Sequence, residues 1–149
     1  MHGIETILKE EKIFIGQTKG DSMEPMLCGG RDTVIIVPPR LPLSSGDVPV
    51  YRRGGHYTMH RIIKVTKYGY LICGDNRPVP EKNVKTEDII GVLAAFYHDG
   101  KYVDCKDAAY LAYTRKICRT YPLRRFRYLL KRIPSKLKEL IGKDDSKCN

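Results

Sequence analysis

The sequence predicts a mainly β domain with a short helix before it and a basic helical tail after it. Three observations carry that prediction. The apolar runs between residues 13 and 104 are short and end at glycine, proline, aspartate or asparagine, the residues that turn a chain between strands. The hydrophobic spacing changes at about Asp107 to the i, i+3, i+7 recurrence of a helix. The charge changes nearby: residues 1–112 hold 15 Lys and Arg against 14 Asp and Glu, whereas 113–149 hold 12 against 3, so the net charge of +10 belongs almost wholly to the tail. The division expected is a domain over 1–104 and a basic amphipathic tail over 105–149.

The elements follow in order. Ile4, Ile7 and Leu8 have the spacing of a short amphipathic helix, and "KIFIGQTKG" then reads as extended chain. A short apolar run closed by two prolines, "DTVIIVPP" (32–39), is a second strand. In "SGDVPVYRR" (45–53) alternate residues change character, and Pro49 places that strand at an edge or a bulge. Tyr57 to Val65 is rich in β-branched and aromatic residues, Lys67 to Gly69 turns, and Tyr70 to Cys73 returns. Residues 88–97, "DIIGVLAAFY", suit a strand or a short helix, and "DGKYVD" (99–104) a hairpin turning at Asp99-Gly100. In the tail, Leu123, Phe126, Leu130 and Ile133 form an apolar stripe among Arg and Lys; Pro134 interrupts it, and Leu137, Leu140 and Ile141 resume it.

Composition excludes several classes. The chain of 149 residues suffices for one domain with a real core plus an appendage. Its longest stretch without Asp, Glu, Lys or Arg is 89–98, well short of the roughly 18 apolar residues of a membrane span. The N-terminus carries Glu5, Lys9, Glu10, Glu11 and Lys12 and so lacks the apolar core of a secretory signal, which points to a cytoplasmic location. Five cysteines, an odd number without CxxC spacing, suit reduced thiols better than disulfides or a zinc site, and Cys28 reads as a small buried hydrophobe.

The stretch "KGDSMEPML" (19–27) sets Ser22 among turn formers. It reads either as a surface turn or as a nucleophilic serine at a bend, where hydroxyl and backbone N–H groups can face one carbonyl. The second reading needs a base. His2 is terminal, His56 adjoins Gly54-Gly55 and His98 adjoins Asp99-Gly100, so each has a solvated role; His60 lies inside an expected strand, where the backbone can hold it.

The ordered blocks "GDSMEPML", "GRDTVII", "GDVPVY", "HRII", "GDN" and "DIIGVL" resemble the signal peptidase and SOS-repressor-type serine endopeptidases across roughly residues 13–95. The resemblance implies a twisted β-sheet or partial barrel, Ser22 as nucleophile and a base at the head of the "HRII" block. Bacterial signal peptidases and repressor-type autoproteases place lysine there, and the archaeal and endoplasmic-reticulum signal peptidases place histidine; His60-Arg61-Ile62 is similar to the histidine branch. Lys64, expected on the same strand face, is the competing base. Asp75 of "GDN" is implied to orient or electrostatically support the base, as a carboxylate on one imidazole N–H would; read from its residues alone, without the other blocks, Asp75-Asn76 is better taken as an Asx turn after the strand ending at Cys73. The histidine branch often carries a second aspartate shortly afterwards. The nearest acid here is Glu81, and whether it fills that place stays open.

The function expected on this resemblance is a serine endopeptidase removing a leader or signal-like segment from a peptide or small protein, without metal or organic cofactor. The substrate would lie as an extended strand against a sheet edge, with Met23 packed beneath or beside the groove, Pro25 fixing the turn and backbone N–H groups receiving the oxyanion, since Gly20 has no hydroxyl to help. Alternatives are an idle peptide-binding module and a self-cleaving regulator. The tail, 113–149, is expected either to pack on the domain or to touch an anionic membrane surface; it carries no motif for specific nucleic-acid readout.

Overall fold

In the computed structural model, which describes residues 3–132, the apolar spacing of the N-terminus forms helix α1 (Ile4–Glu10), whose Leu8 is buried. Nine strands follow: β1 (Phe14–Gln17), β2 (Thr33–Val37), β3 (Pro49–Arg53), β4 (His56–Met59), β5 (Arg61–Thr66), β6 (Gly69–Cys73), β7 (Glu81–Val84), β8 (Ile89–His98) and β9 (Lys101–Asp104). Helix α2 (Ala108–Lys131) ends the described chain. The chain is mainly β, as expected.

All strand pairs are antiparallel and form two sheets. The larger runs β1-β2-β8-β3-β4, and the smaller is β5-β6-β7. The long strand β8 organises the first: β2 occupies one of its edges, while β3 and β9 share the other, β3 along its first half and β9 along its second. The β8–β9 hairpin turns at Asp99-Gly100, both with positive φ (49° and 74°), the backbone that a tight hairpin needs.

Alternation in β2 sends Val34 and Ile36 inward, and β8, whose register against β2 shifts between Leu93 and Ala95, adds both Leu93 and Phe96 to the same core with Leu8, Met23, Leu27, Val48 and Val50. A second core, Leu43, Tyr51, Ile62, Tyr70, Ile72 and Ile89, lies against the smaller sheet. Two expectations are corrected. The run Tyr57–Val65 is two strands in different sheets, with His60 at the junction instead of inside a strand. Of the two places expected for Pro49, the edge is excluded, since β3 lies between β8 and β4, while the bulge is found: the β3–β8 register shifts between Val50 and Tyr51, just after Pro49 opens the strand. Residues 81–84, which lack any apolar alternation, nevertheless pair with β6 as β7.

Helix α2 contains Pro122, which removes one helical N–H. Its inward side carries Tyr110, Thr114 and Tyr121, all buried. Of the expected tail stripe, Leu123, Phe126 and Leu130 lie on α2; Ile133, Pro134, Leu137, Leu140 and Ile141 fall outside the described residues. Among the described residues, no helix is long and apolar enough to cross a membrane.

Candidate active site

The turn that follows β1 presents Ser22. Gly20 takes φ +82°, a left-handed backbone that favours glycine, and the Glu24 N–H closes on the Asp21 carbonyl at 3.2 Å. Met23 and Leu27 are buried just beyond, so apolar anchors hold the serine in place. The opposite support is the loop after β6. The Asn76 N–H donates to the Ser22 carbonyl at 2.9 Å, the Asn76 side chain donates to the Asp21 carbonyl at 3.2 Å, and Arg77 pairs with the Asp21 carboxylate. Gly74 lies so close that a Cβ there would stand 2.6 Å from the Ser22 carbonyl oxygen.

His60, thirty-eight residues along the chain, places Nε2 3.0 Å from the Ser22 hydroxyl oxygen. Its Nδ1 lies 3.1 Å from Glu81 Oε1, which also accepts from the Tyr51 hydroxyl at 2.8 Å and from Arg53 at 3.1 Å. These contacts select one tautomer. Nδ1 carries the proton and donates to Glu81, leaving the Nε2 lone pair for the serine proton. Burial pushes the His60 pKa below its ordinary 6.5; the charge and hydrogen bond of Glu81 pull it back only in part, and Arg53 and Arg77 lower it further. The imidazole is therefore neutral at neutral pH. Burial and Glu81 also raise the Tyr51 pKa, keeping its hydroxyl protonated as a donor.

Asp75 is placed differently from expectation. Its carboxylate does not meet His60; it forms a two-pronged pair with Arg61, Nε to Oδ1 at 2.8 Å and Nη2 to Oδ2 at 2.7 Å, both side chains fully buried. The Tyr113 hydroxyl adds a third donor to Asp75 at 3.0 Å, and Arg124 donates to its main-chain carbonyl. The physical reason is burial: Arg61, next to His60, opens β5 with its side chain fully buried, and a buried guanidinium requires a carboxylate. Its Nη1 donates to the Gly46 carbonyl, the Tyr110 hydroxyl and the Thr114 hydroxyl at 2.9, 3.2 and 2.9 Å. Helix α2 is thus joined to the chain behind the Ser22–His60 contact.

Lys64 is exposed. The β5–β6 register shifts between Ile62 and Lys64, so the extra residue breaks the simple alternation that would align Lys64 with His60. Glu81, by contrast, reaches the base through β7, a strand that its polar sequence did not announce.

Ser22 and His60 border a cleft of about 470 Å³. Phe14 and Gln17 of β1 line one side, Tyr57, Thr58 and Met59 of β4 line another, and Met23, Leu27, Val34, Ile36 and Val50 supply apolar surface. Among the described residues, β1 and β4 end the larger sheet, so each has one edge without a neighbouring strand. Helix α1 contributes Ile4 and is tied to the cleft wall through Glu5, which accepts from Arg52 at 2.7 and 2.6 Å and from the Tyr57 hydroxyl at 2.7 Å.

Elsewhere, Cys28, Asp32 and His98 bring one potential metal ligand each within 4.8 Å of one another. The Asp32 carboxylate there already accepts from the Cys28 N–H at 2.7 Å and meets His98 Nδ1 at 2.6 Å, and Arg31 pairs with its other oxygen. An adjacent guanidinium opposes a cation, and the hydrogen bonds account for the cluster as a tie between β8 and the loop before β2.

No curated protein matches the chain. A family model described as Peptidase S24-like matches residues 3–94, a span that contains Ser22, His60, Asp75 and Glu81, and on that match the chain belongs to the Peptidase S24-like family, a serine-peptidase fold that includes self-cleaving repressors.

Proposed function

We propose that the protein is a serine endopeptidase of the histidine-base kind, cutting an extended leader or signal-like segment of a peptide or small protein. The observation that carries this reading is the 3.0 Å contact between His60 Nε2 and the Ser22 hydroxyl, backed by Glu81 on the other ring nitrogen. As the Ser22 oxygen attacks the scissile carbonyl carbon, His60 Nε2 takes the hydroxyl proton and Glu81 stabilises the imidazolium. Backbone N–H groups of the Ser22 turn would receive the developing oxyanion. His60 then returns the proton to the leaving amine as the C–N bond breaks, giving an acyl-enzyme. Water attacks that ester with His60 again as base, releasing the new carboxyl terminus and restoring the serine.

The cleft supports an extended substrate. A peptide strand along β1 or β4 could add its main-chain hydrogen bonds to a free sheet edge, while the apolar surface receives small aliphatic side chains. Incubation with a library of unstructured peptides, read by mass spectrometry, should give cuts concentrated after small apolar residues, and Ser22→Ala should give none. Equal cutting by Ser22→Ala, or no cutting of any peptide, would remove this reading.

A further inference from the structure

We propose that the outward face of α2 docks on an anionic lipid bilayer surface. From Ala108 to Arg132 the sequence holds eight Lys and Arg and no Asp or Glu. Arg115, Lys116, Arg119, Arg127, Lys131 and Arg132 are exposed. The arginines in salt bridges among the described residues are Arg31, Arg52, Arg53, Arg61 and Arg77, so none of the α2 cations is neutralised within this part of the chain.

The same face carries large apolar side chains in the open: Leu123 is 50% exposed and Phe126 57%, with Leu129 and Leu130 beside them. Leu123, Phe126 and Leu130 follow the i, i+3, i+7 spacing of one helix face, and Arg119 and Arg127 stand one turn before and after Leu123. The opposite face is already used, since Tyr110, Tyr113 and Thr114 close over Arg61 and Asp75. Apolar side chains among unneutralised cations fit a bilayer boundary, where headgroup phosphates meet the guanidinium groups and acyl chains receive the leucines and phenylalanine. A nucleic-acid backbone offers the charges a partner but leaves the leucines none.

Deleting the helix is a poor test, because it also strips two hydroxyls from buried Arg61. Point variants of the full chain avoid that. The wild type should sediment with vesicles of equal parts phosphatidylglycerol and phosphatidylcholine, and pelleting should weaken as salt rises. Arg119→Glu/Arg127→Glu should lower vesicle affinity by at least about tenfold, and Leu123→Ser/Phe126→Ser should lower it at low and high salt alike, both variants keeping the wild-type circular dichroism. Ser22→Ala should bind as the wild type does, which separates docking from catalysis. The proposal is overturned by equal binding to pure phosphatidylcholine vesicles or by unchanged binding of the charge-reversed variant. Retention of a duplex oligonucleotide without vesicle binding, or self-association in its place, overturns it too.

Discussion

His60 lies between two opposing influences: burial favours the neutral ring, and Glu81 favours the charged one. Burial prevails, so in the proposed reaction the base stays competent below the ordinary histidine pKa of 6.5, and the acid limb of kcat/KM is predicted below that value. Glu81→Gln removes the influence that raises the pKa. The limb should therefore move to still lower pH, while the plateau rate falls by roughly 10²-fold because the imidazolium loses its support. A pH–rate profile of the two proteins checks both effects; a limb that stays in place would show that Glu81 does not act on the base. Asp75 should behave differently. Asp75→Ala leaves Arg61 charged, buried and short of its partner, a loss of about 3–5 kcal/mol in folding free energy. Urea unfolding measures it, and a change below about 1 kcal/mol would contradict the assignment of Asp75 to the buried pair.

At the scale of elements, α2 should act on stability through one face only. Thr114→Val keeps the shape but removes an acceptor from buried Arg61, which should cost about 1.5–3 kcal/mol, whereas Arg119→Ser on the outward face should change stability by no more than about 0.5 kcal/mol. Thermal or urea unfolding of the two variants compares them directly, and equal effects would contradict the packing described. The elements themselves were legible to different degrees. The run in β2 and the Asp99-Gly100 turn announce themselves because a buried strand is apolar and a tight turn imposes residue type, whereas the β8 run suited a strand or a short helix and only its pairing with β2 and β3 decides between them. The break at His60 was not legible, because Tyr57–Val65 is β-prone throughout and only the pairing of β4 with β3 and of β5 with β6 divides it. Strand β7 was missed because "EKNV" carries no period-two pattern; its pairing with β6 is tertiary. With it went the contact of Glu81 to His60. Asp75 was visible as a residue of interest, but its partner was not: local sequence does not say that the arginine beside the histidine points inward. The pairing of Ser22 with His60, by contrast, was expected from the family resemblance that the ordered blocks carry.

For the whole molecule, the proposed catalytic pair and the basic helix α2 meet at one buried polar cluster, that of Arg61 and Asp75. Arg61 follows His60 in sequence and accepts the packing of α2, while Gly74 and Asn76, which flank Asp75, brace the Ser22 turn. The central claim is that His60, and not Lys64, makes Ser22 a nucleophile. Covalent labelling by a fluorophosphonate probe tests it most directly, with the modified residue located by mass spectrometry and the rate followed in folded variants. The account predicts labelling at Ser22 in the wild type and in Lys64→Ala at similar rates, none in Ser22→Ala, and a rate reduced by roughly 10²-fold or more in His60→Ala. Wild-type labelling in His60→Ala together with loss of labelling in Lys64→Ala would contradict it.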